Sequence, residues 1–151
     1  MTRCSISRLT SSGSSAAAAL ELIAGSSFGF WLRGLTLTLA AATASVYGLG
    51  RPAAKGITPT TPVALLLNGA VGTLGQVVTS TAIAWGTGPT VPVSFIRQAS
   101  LPASIGAAAT LVDVLYPGES IWVPAGASLV LWNGAANSVA YVNITVDEAT
   151  A

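Results

Sequence analysis

The sequence contains no histidine, and this removes the commonest general base and the commonest transition-metal ligand together. Charge is almost as scarce. Only 7% of the 151 residues are Asp, Glu, Lys or Arg, against about 25% in an ordinary soluble domain. The formal net charge of +1 excludes a strong electrostatic footprint, and Arg3, Arg8, Arg33, Arg51, Lys55 and Arg97 are scattered. No basic stripe for nucleic acid can be drawn through them. The one cysteine, Cys4, has no intrachain disulfide partner and no imidazole to activate it, so it reads as a bystander. Long hydrophobic runs are also missing. Mean hydropathy is high, at +0.70, yet Gly, Pro, Ser and Thr interrupt every apolar stretch before the roughly 18 to 20 residues a spanning helix needs. The N-terminus faintly imitates a signal peptide, with Arg3 and Arg8 ahead of Ala16–Leu20, but Glu21 breaks the apolar stretch.

What is present is β-strand and turn. The last third, from Leu111 to Glu148, carries segments closed by Pro117-Gly118, by Pro124-Ala125-Gly126 and by Asn133-Gly134. Proline presets the first turn position and glycine supplies positive φ. Between the turns lie Val, Ile, Leu, Trp and Tyr, which suit a pleated, half-buried surface. In Val139–Asp147 the residues Ala140, Val142, Ile144 and Val146 share one face, with Asn143, Thr145 and Asp147 on the other. Asp147 and Glu148 read as a solvated acidic tail.

Phe28–Leu39 is a second strand system. Phe28, Phe30 and Leu32 share one parity and Leu35, Leu37 and Leu39 the other. The buried face must therefore flip near Arg33-Gly34, as at a β-bulge or a bend from one sheet into another. Ala16–Ala24 is ambiguous by propensity but reads as a strand beside its neighbours. Arg51–Pro62 holds three prolines and Gly56, which predicts a long ordered loop, either solvated or reaching a neighbouring subunit. Val63–Leu67, Gln76–Trp85 and Val93–Arg97 are further strands, with a Gly-rich stretch at Asn68–Gly75 and a small-residue connection at Ser100–Thr110. The Gly-rich stretch lacks the Lys-Ser/Thr of a phosphate-binding loop. The expected fold is all-β: a two-sheet antiparallel β-sandwich, jelly-roll-like, spanning residues 16–151, with residues 1–15 as an N-terminal arm or leader.

No reaction is visible. The acids are Glu21, Asp113, Glu119, Asp147 and Glu148. Glycoside hydrolysis needs two carboxylates across a cleft; Asp113 and Glu119 could meet across a hairpin, but so could any two exposed strand-end acids. No closely spaced oxygen ligands for calcium appear, and no cofactor is implied. Trp31, Trp85, Trp122 and Trp132 fall in or beside strands, where a core or interface role outweighs a sugar platform. A surface so poor in charge fits burial against other chains.

Two regions resemble small structural proteins of tailed bacteriophages. One is SVYGLGRPAAKGITPTTPV, residues 45–63. The other is AIAWGTGPTVPVSFIRQASLPASIGAAATLV, residues 82–112, followed by VPAGASLVLWNGAANSVAYVNITVDE, residues 123–148. The resemblance implies a non-enzymatic virion component, foremost a capsid decoration (cement) protein on the outer surface of the head. It implies a homo-oligomer, with a trimer favoured, clamping the major capsid protein; neither nucleic acid nor membrane is an expected partner. Arg51, Lys55, Trp85 and Trp122 are the candidate contact residues. A carbohydrate-binding module using exposed Trp and Tyr, or a tail-associated protein, is the rival reading.

Overall fold

The computed structural model describes residues 2–11, 16–67, 78–105, 110–114 and 119–150. The described residues contain strands and turns and no helix. In chain order the long strands of the first half are β1 (Thr2–Leu9), β2 (Ala17–Ile23), β3 (Phe28–Leu39) and β4 (Ser45–Gly50). Short ones follow: β5 (Ile57–Pro59), β6 (Val63–Ala64), β7 (Leu66–Leu67), β8 (Ser80–Ala82) and β9 (Trp85–Thr87). The second half adds β10 (Phe95–Leu101), β11 (Thr110–Val114), β12 (Ile121–Val123), β13 (Ser128–Asn133) and β14 (Ala140–Thr150).

These strands make two six-stranded antiparallel sheets and one two-stranded ribbon. The first sheet runs β11-β3-β14-β1-β7, with β12 also on β3; the second runs β10-β4-β13-β2-β8-β6; β5 pairs β9. The pairing is nested. β1 pairs with β14, β2 with β13, β3 with β11 and β12, and β4 with β10.

Alternation decides which face is buried. Ala140, Val142, Ile144 and Val146 of β14 are all buried. The parity flip in β3 is a bulge within one sheet: Thr145 faces Gly34 and Val146 faces Leu32, so Arg33 is the extra residue. Phe30 and Leu32 before it, and Leu35, Leu37 and Leu39 after it, all reach the core. Side chains of both sheets, among them Ile6, Leu20, Phe30, Leu49, Leu131 and Ile144, form one hydrophobic cluster. Each such side chain contributes roughly 1.5–3 kcal/mol on burial.

Several expectations are corrected. The proposed arm is not an arm: Thr2–Leu9 is paired along its length to β14, with Cys4 and Ile6 alternating into the core. The Ser-rich composition hid the strand because outward positions of a charge-poor sheet tolerate Ser as readily as Lys. The loop after Arg51 includes β5, and Val63–Leu67 is divided at the buried Leu65 into two pieces lying in different sheets. The connection expected from Ser100 begins after Leu101, because β10 runs on against β4. At Pro124-Ala125-Gly126 the glycine does take positive φ, at 74°. At Asn133-Gly134 it does not; there Asn137 carries the left-handed residue, at 58°. The Asn133 side chain holds that turn, accepting from the Ala135 amide and donating to the Ser138 carbonyl, both at 3.1 Å. The Gly-rich stretch at Asn68–Gly75 and the Pro117-Gly118 turn lie outside the described residues.

Candidate functional site

Burying a carboxylate without partners costs several kcal/mol, and among the described residues this charge-poor chain buries three. Glu21, in the middle of β2, is fully enclosed, and Asp147 and Glu148 are each 4% exposed. The predicted acidic tail is therefore corrected too, since both residues belong to β14 and both are held. Their partners explain how the chain keeps them.

Glu21 gathers donors from three distant segments. The Gly56 amide donates to both carboxylate oxygens, at 3.1 and 3.2 Å. Trp85 Nε1 donates at 2.8 Å and Ser128 Oγ at 2.6 Å. Gly56 must be glycine here, because a Cβ would collide with the Trp85 ring and approach Glu21. Glu148 accepts from the Val78 and Thr79 amides. Asp147 is bound by two arginines: Arg3 by both Oδ atoms, at 2.8 and 3.0 Å, and Arg33 at 2.8 Å. The Arg3 hydrogen bond, followed by that from Arg33, holds the Asp147 carboxyl below the usual carboxylate range against its burial. Arg3 is raised in turn by Asp147.

The loop after β4 is pinned at several points by the same economy of charge. Arg51 Nη2 donates to the Trp122 carbonyl at 2.8 Å, and Lys55 Nζ to the Gly126 carbonyl at 3.0 Å. Ala54 and Thr90 exchange bonds at 3.0 Å, amide to hydroxyl one way and amide to carbonyl the other. Between Arg51–Lys55 and the Gly126–Ser128 turn lies an open groove of about 280 Å³.

The four candidate contact residues thus meet around one loop, though each also has an internal partner. Trp122 packs against Trp31 with ring centroids 5.0 Å apart at 45°. Its ring occupies the space above Gly29 where a Cβ would sit. Arg33 lies over the Trp31 ring at 5.9 Å and donates to Ser120 Oγ. Trp85 and Trp122 are half-buried, each with one edge committed inside the protein.

Chemically the arrangement is a set of satisfied charges. Among the described residues no group of three His, Cys, Asp or Glu comes together to hold a metal. Cys4 is enclosed, and burial, with the nearby Glu148 charge second, pushes its thiol up to about 11, away from thiolate chemistry. Glu119 is exposed, while the side chain of Asp113 lies outside the described residues.

Sequence reasoning missed the buried acids. For Glu21 a signal was present, a single charge inside the apolar string ALELIA. For Asp147 and Glu148 none was, since their arginine and amide donors lie 69 or more positions away.

Comparison with known protein families, with curated proteins and with solved structures finds no match to this chain.

Proposed function

We propose that this chain is a non-enzymatic structural protein of a virion, a capsid decoration protein that binds the outside of the head and stabilises it through repeated subunit contacts. The observation that carries the reading is how few charged side chains the chain has to place outside, beside how many aliphatic ones stand there. Of the few charged side chains, Glu21, Asp147 and Glu148 are buried. Arg3, Arg8, Arg33, Arg51 and Lys55 all donate to acceptors within the chain. Meanwhile Val93 is 96% exposed, Leu66 70%, Ile57 62% and Ile105 60%. A monomer kept soluble by its surface wants interspersed charge and few exposed aliphatics. Apolar contact at about 25 cal/mol per Å², repeated over many copies, sums weak contacts into firm attachment.

The fold supports the same reading. We read the fold as a two-sheet jelly roll, a reading supported by the nested order of the long strands, outermost pair β1–β14 and innermost β4–β10. Shell-forming and sugar-binding proteins both use that architecture, so it is compatible with the function and does not select it. The working form is a homotrimer, and the major capsid protein is its partner.

Light scattering on the purified chain should give three times the monomer mass, and the chain should co-sediment with heads assembled from the major capsid protein of the same genome. A monomer that stays in the supernatant with such heads overturns the reading.

A further inference from the structure

We propose that the groove beside Arg51 and Lys55 is a receptor for a carboxylate, supplied by an Asp or Glu side chain in a small-residue segment of the partner protein. This rests on the contact reading above and specifies the chemistry of what is contacted. A guanidinium carries five N–H donors and an ammonium three. Among the described residues each cation has one engaged, on the Trp122 and Gly126 carbonyls. The rest remain available to a ligand. The groove walls are otherwise Pro52, Ala53, Gly126, Ala127 and Ser128, and among the described residues no acid lines it. Glu21 lies behind Ser128, fully enclosed, with its oxygens taken by Gly56, Trp85 and Ser128.

Size and rigidity narrow the occupant. At about 280 Å³ the groove falls just short of the roughly 300–1,000 Å³ typical of small-molecule sites. It suits one side chain and its immediate neighbours. The loop that presents the cations is fixed by the Ala54–Thr90 exchange and by Gly56 on Glu21, so little ordering opposes binding. Charge-assisted bonds from both cations would then fix a carboxylate. A nucleic-acid phosphate is disfavoured, since recognition there needs a track of basic residues and the formal net charge is +1.

The test is an amide NMR titration of the full chain with acetyl-alanyl-glutamyl-glycinamide, its glutaminyl analogue and inorganic phosphate. The glutamyl peptide should shift the amides of Ala53–Gly56 and Gly126–Ser128 saturably. The glutaminyl peptide should bind at least ten-fold more weakly, as should the glutamyl peptide to the R51Q/K55Q double variant. Because those substitutions also remove two loop anchors, Ala53→Glu provides an independent check. It keeps both anchors, places a carboxylate at the groove and should block the peptide. Equal response to both peptides, no shift at these amides, undiminished binding to Ala53→Glu, or tighter binding of phosphate overturns the proposal. Heads separate the two readings. If the native chain binds them and R51Q/K55Q binds equally well, only the carboxylate receptor fails; if the native chain does not bind, the decoration reading fails.

Discussion

Arg33 and Asp147, 114 positions apart, meet at 2.8 Å across β3 and β14, at the one place where β3 carries an extra residue. The bulge places a long cation beside the carboxylate that faces Trp31, and Arg3 closes on it from β1. Asp147→Asn should destabilise the protein by about 1.5–3 kcal/mol at neutral pH, the scale of hydrogen bonds to a charged group. The effect depends on pH with a definite sign. The folded carboxyl titrates below its unfolded value of about 3.9. Its stabilisation is complete above that value and is lost as pH falls through the folded pKa. Melting curves of the native and Asp147→Asn chains should therefore differ at pH 7 and converge in the acid range. A constant difference down to pH 2 would contradict the assignment.

Among the described residues Glu21 is the acceptor for three donors from distant parts of the chain. Glu21→Ala should cost about 3 kcal/mol or more, because the Gly56 amide, Trp85 indole and Ser128 hydroxyl all lose their partner in a buried place. Urea denaturation measures it. Glu21→Gln, which keeps the shape and one acceptor oxygen, should lose less.

Gly56→Ala tests the packing of Trp85 directly. The added methyl meets the indole, and such overpacking typically costs 1–3 kcal/mol. Tryptophan emission should change at the same time, since the ring must move away from Glu21.

Removing residues 1–15 takes out a whole strand. It strips β14 of one of its two partners and β7 of its partner, and it opens the core at Cys4 and Ile6. The truncated chain should lose its cooperative melting transition by circular dichroism. Retention of a native-like transition would show that the rest of the sheet closes without β1.

Cys4 should be nearly inert in the folded protein. With the thiol near 11, against about 8.5 for a free cysteine, the thiolate fraction at pH 8 falls by roughly two orders of magnitude. Labelling by a thiol reagent should be slow in buffer and fast in denaturant.

How much of this was legible in the sequence follows the range of each interaction. Period-two alternation placed Val142, Ile144 and Val146 on one face, which is buried, and the parity flip marked a break at Arg33-Gly34, where the bulge lies, because both are properties of one strand. Pro124-Ala125-Gly126 announced its turn for the same reason. The ribbon of β5 and β9 was not legible, since each is three residues long and gains its structure from the other. The loop cations were visible as a pair, but their groove was not; it exists only where Gly126–Ser128 comes back beside them. Asp147 looked like a solvated tail because nothing nearby in sequence hints at two arginines waiting across the sheet.

The nested pairing has a consequence for how the molecule is made. During synthesis β1 emerges well before β14, the strand paired along its whole length. Until β14 is made, β1 has only the short β7 to pair with, at Cys4 and Ser5, so the outer pair cannot nucleate folding. The innermost pair, β4 with β10, closes the shortest loop of the four nests and loses the least chain entropy. Assembly should proceed outward from there, at the slow rates characteristic of distant strand partners.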